Sequence, residues 1–262
     1  MDEAAADRAS ELLSRCWRKG EVIEALPAPL RPASRPEGYA IQARIEASSG
    51  KPLFGWKIAA TSLAGQQHIG VDGPLAGRLL AERVYGDGDE VPLRANRMRV
   101  AECEFAFRMG RDLLPRPAPY ERDDVLNAVA DLHLAIEVPD SRYKDFVTAG
   151  GPQLIADNAC AHLFVLGPIA PPSWRGLDLA AHRVVAKVGR RYDREGIGAN
   201  VLGHPLIGLT WLANELSSLG VPLASGQVVT TGTCMKPLEI EAGDEVSVDY
   251  GVLGQVRCRF AA

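Results

Sequence analysis

Three carboxylates in apolar surroundings carry the chemistry of this chain: Glu102 and Glu104 in Val100-Ala-Glu-Cys-Glu-Phe-Ala-Phe107, and Glu137 in Ala135-Ile-Glu-Val138. The first stretch alternates around valine and aromatics, the pattern of a β-strand. Successive side chains of a strand point to opposite faces. Glu102 and Glu104 therefore share one face, roughly 6–7 Å apart along it, and Cys103 and Phe105 take the other. Carboxylates among apolar side chains are costly unless something compensates them. A hard divalent cation does so, and Mg²⁺ or Mn²⁺ prefers oxygen ligands. No His/Cys set with zinc spacing lies nearby. The plainer alternative is a half-exposed strand that shows two glutamates to water.

The elements that must position these residues can be read along the chain. Residues 3–19 repeat Ala5, Ala6, Ala9, Leu12, Leu13, Cys16 and Trp17 at helical spacing, and Gly20 is a stop. A proline-rich connector, 27–32, leads to a second helix over 36–49. From Phe54 the pattern becomes strand-like: 54–61, then the Glu-x-Glu strand, then a helix over 123–133 and the Glu137 strand. Further strands are predicted at 159–166, 182–188, 227–231, 245–250 and 255–260, the last two joined by a hairpin-like link at Gly251–Gly254. A helix spans 205–219. Many short strands with few helices imply an α+β fold on a mixed, rolled-up sheet. Residues 1–52 read as a small N-terminal helical element with its connector, and 53–262 as the main domain.

The 262 residues are 47% hydrophobic and 24% charged, with a net charge of −4, an ordinary globular composition that disfavours a general nucleic-acid binder. No apolar run approaches a membrane span. The five cysteines are odd in number and widely spaced, and the acidic opening lacks a secretory pattern, so the expectation is a cytoplasmic protein with reduced thiols.

Taken in order, several segments resemble the 2-oxopent-4-enoate hydratase / 4-oxalocrotonate decarboxylase branch of the fumarylacetoacetate hydrolase superfamily. They are Gly55-Trp-Lys-Ile-Ala-Ala-Thr61, Gln67-His-Ile-Gly-Val-Asp72, Ala101-Glu-Cys-Glu-Phe105 and Ala135-Ile-Glu-Val138 with Ser141-Arg142. Ala156-Asp-Asn-Ala159, Gly203-His-Pro-Leu206 with Trp211-Leu-Ala213, Thr230-Thr-Gly232 and Ala242-Gly-Asp244 follow. The resemblance implies a mixed β-roll that binds one Mg²⁺ or Mn²⁺ through Glu102, Glu104 and Glu137. It also implies a homo-oligomeric lyase of ring-cleavage catabolism, acting on a 2-oxo acid or its enol that chelates the metal.

Under that resemblance Lys57 is the catalytic candidate, binding the substrate carboxylate or shuttling a proton, and burial can lower a lysine pKa enough for the latter. Arg142 is a candidate for gripping a substrate carboxylate. Asp157 and Cys160 are substrate-binding candidates, Asp157 with Asn158 also for support of the site, and Thr231 and Gly232 are candidates for holding the substrate carboxylate. Two departures stand out. Leu75, in Pro74-Leu-Ala-Gly77, occupies the place of a hydratase aspartate proposed as acid/base, and Cys160 stands where related hydratases often carry serine. The metal–enolate apparatus is thus expected with an incomplete hydration relay. That leaves a hydratase, a decarboxylase or tautomerase, or a metal-dependent binding homologue without turnover.

Overall fold

The chain is described over residues 1–262 by a computed structural model. Helix α1 (Glu3–Lys19) is capped by Asp2, whose side chain accepts the Ala5 N–H, and ends at Gly20 with φ 67°. That left-handed position favours glycine. Helix α2 (Arg35–Ala43) begins at the Ser34 cap and passes into a 3₁₀ turn over Arg44–Ser48, so the single helix expected to residue 49 is two pieces. Ala6, Ala9, Leu13, Leu26 and Ile41 pack with Tyr143 and Ala156 in a small cluster of their own.

The main body follows with β1 (Leu53–Ala59), α3 (Leu63–Ile69), β2 (Leu75–Leu80), β3 (Val84–Gly86), β4 (Glu90–Pro92) and β5 (Val100–Met109). Next come α4 (Arg122–Ala128), β6 (Val129–Val138), α5 (Gly151–Ala156), β7 (Leu163–Ile169), β8 (Arg183–Val188), β9 (Tyr192–Ile197) and α6 (Pro205–Ser218). The chain closes with β10 (Val228–Thr233), β11 (Leu238–Glu239), β12 (Glu245–Asp249) and β13 (Gln255–Ala261). The larger sheet runs β2-β1-β10-β5-β6-β7-β3, with β11 added on β5, and the smaller runs β4-β13-β12-β8-β9. Both mix parallel and antiparallel pairs. This is the α+β, mixed-sheet class that the sequence implied.

Two further expected elements differ. The helix forecast to residue 133 stops at Ala128, because Leu132, Leu134, Ile136 and Val138 alternate with period two and enter β6. The strand forecast from residue 159 starts only at Leu163. Asn158, Ala159 and Cys160 lie at φ 56°, 49° and 61°, a left-handed run that no strand accommodates.

Register then sets the site. Glu102 stands opposite Glu137, and Glu104 opposite Ala135. Thr230 stands opposite Ala106, and Lys57 opposite Thr230. Residues directly across a sheet share a face. Lys57, Thr230, Glu102, Glu104 and Glu137 therefore project from one side of the larger sheet. The other side carries Cys103, Phe105, Phe107, Leu134 and Ile136 into the main core, with Val246, Val248, Val256 and Phe260 of the smaller sheet.

Candidate metal centre and active site

The carboxylates of Glu102, Glu104 and Glu137 bring one oxygen each within 4.8 Å of one another. Glu104 and Glu137 are fully buried, and Glu102 keeps some surface. Glu104 Oε2 accepts the Thr230 hydroxyl and, at 2.8 Å, the Gly232 N–H. Its Oε1 has no partner, and neither oxygen of Glu137 accepts a hydrogen bond. Buried oxygens without donors are costly. Here they converge, as the hard-cation reading requires.

Charge supports the same fit. Burial, then repulsion from Glu137, pushes the Glu102 carboxyl up to about 7. Burial first and the neighbouring glutamates second hold Glu104 well above the usual carboxylate range, and burial also raises Glu137. Three carboxylates and the Lys57 ammonium beside them sum to −2 when all are ionised, the charge that a divalent ion cancels. Removing protons to seat the ion makes its affinity pH-dependent.

Lys57 is buried. Its Nζ donates to Ala159 O at 3.0 Å and lies 3.0 Å from Glu137 Oε1, near enough for an ion pair but poorly aligned for a hydrogen bond. The lowered pKa allowed by sequence is not what the structure gives. Burial acts downward, but attraction to Glu137, Glu102 and Glu104 outweighs it and holds the ammonium above its ordinary value. Gly77 faces Lys57 across β2, and a Cβ there would come within 2.4 Å of Asn158 O and 3.1 Å of the Lys57 stem. Glycine leaves the lysine its channel.

The carbonyl that Lys57 meets belongs to the left-handed turn, which buried polar contacts hold in place. Asn158 exchanges side-chain bonds with the backbone of Arg78 at 2.6 and 2.8 Å. Asp157 accepts the Ser141 hydroxyl at 2.6 Å, the Arg142 N–H at 3.0 Å, and the Arg142 guanidinium. Arg142 spends its remaining bonds on Asp157 O, Asp140 O and Ala161 O. Its fork thus faces protein groups, and the pair clamps the turn. Burial and the nearby Asp157 charge push the Cys160 thiol up to about 12, leaving it neutral at ordinary pH.

The Thr230-Thr-Gly232 segment is also committed inward. A register irregularity in β10 re-aims it. Thr231 donates its hydroxyl to Phe105 O at 3.0 Å, while Gly232, at φ 105°, gives its N–H to Glu104. A Cβ at Gly232 would fall 2.0 Å from Thr61 Oγ1. Thr230 and Ser141 lie in segments that carry the resemblance, yet the sequence assigned them no role. Thr230 directly precedes the singled-out Thr231-Gly232 pair, but its bond to Glu104 depends on a cross-strand register that sequence spacing does not encode. Leu75 lies opposite Ala59 on β2, on the Lys57 face, and is 1% exposed.

Comparison with known proteins fits this geometry. Residues 74–261 match the fumarylacetoacetate hydrolase C-terminal family. The chain belongs to the fumarylacetoacetate hydrolase family. Within that family it is similar to a 2-keto-4-pentenoate hydratase of Burkholderia vietnamiensis, 36% identical over 85% of this chain and 84% of the relative. A 2-oxo-hept-4-ene-1,7-dioate hydratase of Escherichia coli is 30% identical over 96% of each chain. A solved structure of 4-oxalocrotonate decarboxylase from Pseudomonas putida G7, complexed with magnesium and adipate, superposes with a TM-score of 0.89. It is 27% identical and is covered over 98% of its length by 99% of this chain. No helix of the chain is long and apolar enough to cross a membrane.

Proposed function

We propose that the chain is a divalent-metal-dependent lyase of the hydratase type, acting on a short unsaturated 2-oxo acid or its 2-hydroxy-2,4-dienoate form. One observation carries the reading: three glutamates with converging oxygens, those of Glu137 and Glu104 Oε1 buried and unpartnered, stand beside a buried lysine. The hydratase names of full-length relatives support the substrate class. Glu102, Glu104 and Glu137 would hold the ion, and an all-oxygen donor set favours Mg²⁺ or Mn²⁺. When bound, the ion supplies Lewis-acid charge to the 2-oxo oxygen, where negative charge develops.

The chain's own groups divide the remaining work. Thr230 and Gly232 fix Glu104, while Glu102, the partly exposed member, marks the side from which substrate arrives. Lys57 has three N–H donors. One meets Ala159 O and one faces Glu137, so the third is left to bind a substrate carboxylate or deliver a proton to carbon. Arg142 and Asp157 act through the turn that presents Ala159 O, and Thr231 through the strand that carries Glu104. The neutral Cys160 thiol shapes the wall beside Lys57 without exchanging protons near neutral pH.

A second reading, decarboxylation or tautomerisation, draws on Leu75. An apolar side chain stands on the Lys57 face where a second proton carrier is expected. Binding without turnover is a third reading, and a charge-matched metal cluster counts against it. We further assign catalysis to residues 53–262 and a supporting role to 1–52, whose helices pack on Tyr143 and Ala156 in a small cluster and reach the main core through Tyr39. The five free thiols suit the reducing cytoplasm, and the homo-oligomer that the family resemblance implies is tested by sedimentation.

The test is the product mass after incubation with fresh 2-hydroxypenta-2,4-dienoate and Mg²⁺ or Mn²⁺, with and without chelator. Metal-dependent gain of one water establishes the hydratase. No gain, with oxalate still binding in a metal-dependent way, transfers the site to decarboxylation, tautomerisation or binding alone.

A further inference from the structure

Away from the glutamates, a cavity of about 190 Å³ opens where the end of α1 meets Arg83, the turn before β5, and Arg142. Neither Lys57 nor any of the three glutamates lines it. Six of its side chains are cationic (Arg18, Lys19, Arg83, Arg94, Arg97 and Arg142), against two acids, Glu21 and Asp140, in a chain whose net charge is −4.

Both acids are already engaged. Glu21 pairs with Lys19 at 3.9 Å, and Asp140 Oδ1 accepts the backbone N–H groups of Arg97 and Met98 at 3.0 and 3.2 Å. Arg142 is bonded to Asp157 and to backbone carbonyls. The guanidinium groups of Arg18, Arg83, Arg94 and Arg97 have neither an ion pair nor a hydrogen bond within the protein. The concave site therefore keeps an excess of cations over acids, with Arg18, Arg94 and Arg97 exposed at its edge and Arg83 partly buried.

The arginines are also organised. Arg83 and Arg142 each sit with their guanidinium carbon 4.8 Å from the centre of the Trp17 ring. Stacking fixes the plane of a guanidinium and leaves the N–H edge of Arg83 free, whereas that of Arg142 is spent on protein groups. The Trp17 indole N–H is itself held by His162 Nδ1 at 2.6 Å. Burial, then Arg142 and Arg83, push His162 down to about 3, so it stays neutral and keeps accepting that bond. Arg83 is only partly exposed, and burial lowers its pKa, with Arg142 and Arg94 adding repulsion.

We propose that this cavity is a second binding site, for a small dianion of the phosphate or dicarboxylate type. Planar guanidinium forks match the paired oxygens of both groups, and a walled cavity of this size suits a compact ligand better than a polymer. Neither the metal-centre glutamates nor Lys57 belong to it, and Arg142 alone is shared, between the cavity wall and the turn beside Lys57.

Calorimetric titration of protein stripped of metal on a chelating resin tests it, because the uncovered glutamates then repel anions. The probes are inorganic phosphate and succinate, at ionic strength held constant with sodium chloride. Saturable one-site binding of either probe is expected, and their relative affinities distinguish phosphate from dicarboxylate. Arg83→Gln and the exposed Arg97→Gln should each weaken binding about tenfold or more, the loss of one charge-assisted bond. Lys187→Gln, on exposed β8 surface, should leave it unchanged. No saturable heat with either probe, or equal binding by both arginine variants, overturns the proposal. So does an assembly that falls apart in Arg83→Gln while the wild type binds neither anion, since an acidic segment of a second copy would then fill the cavity.

Discussion

Glu104→Gln tests the metal centre most directly, because its shape is retained while its charge is lost. A glutamine can keep its amide oxygen toward Thr230 and the Gly232 N–H, where Glu104 Oε2 now accepts. Its NH₂ then replaces the unpartnered Oε1 and turns a donor into the cluster. The ionised charge of the glutamates with Lys57 falls from −2 to −1. Removing one partner from a buried charge set costs about 3–5 kcal/mol, or roughly 150- to 5,000-fold in metal affinity. Bound ligand stabilises by mass action, so metal at about 100 times the wild-type Kd adds about 2.7 kcal/mol. For a chain of this size that raises Tm by roughly 5–10 °C. At the same concentration the variant gains at most about 0.3 kcal/mol, and its Tm moves by about 1 °C or less. Without metal, the variant has one fewer crowded carboxylate and should melt no lower than the wild type, which separates lost binding from lost folding. Calorimetric titration with Mn²⁺ beside thermal melts reads both. A variant that binds within about threefold of the wild type, or shows the full rise in Tm, would refute the assignment of Glu104 as a ligand.

Thr230→Val removes the hydroxyl that holds Glu104 Oε2 and should lower metal affinity about 10- to 100-fold in the same titration, with the Glu104 charge retained. Lys57→Met leaves Glu137 without its ion pair; kcat should drop about 10²- to 10⁴-fold, and the metal-free protein should lose stability that saturating metal partly restores. Leu75→Asp sets a carboxyl on the Lys57 face at a site 1% exposed, so it should lower Tm while raising the rate of water addition; a folded variant with no gain removes the missing acid as the limit on hydration. His162 binds its proton more weakly folded than unfolded, with a pKa near 3 against 6.5, so stability is present above about 6.5 and is lost as pH falls toward 3. His162→Asn should flatten that acid limb in denaturant titrations across the window.

Period-two alternation around Glu102 and Glu104 was enough to put both on one face and Cys103 with Phe105 on the other, and the structure keeps that division. Gly20 ends α1 as its sequence indicated, because a left-handed cap is a local property. Other features depend on contacts far apart in the chain. The bond from Thr230 to Glu104 follows from β10 lying beside β5, and the three left-handed residues at 158–160 are imposed by Asn158 gripping β2 and Asp157 gripping Arg142. Arg142 shows the limit clearly. An arginine near a site suggests a grip on substrate, yet only three-dimensional packing shows that its donors are already taken.

The same accounting narrows the route of any proton. Around the centre, Asp157 is locked by Ser141 and Arg142, Glu104 is held by Thr230 and Gly232, Cys160 stays a neutral thiol, and Leu75 carries no proton. With the three glutamates assigned to the ion, Lys57 is the remaining group with a free donor toward an incoming substrate. Addition of water needs a proton placed on one carbon and a water activated at another, so hydration would require a second carrier beside Lys57. Decarboxylation or tautomerisation needs fewer positioned carriers once the 2-oxo oxygen is stabilised. A chain with Leu75 should therefore lose less of its tautomerase rate than of its hydratase rate when Lys57 is replaced. Equal losses in the two assays would mean that Lys57 serves a step common to both, such as holding the substrate carboxylate, and that the proton for hydration enters elsewhere.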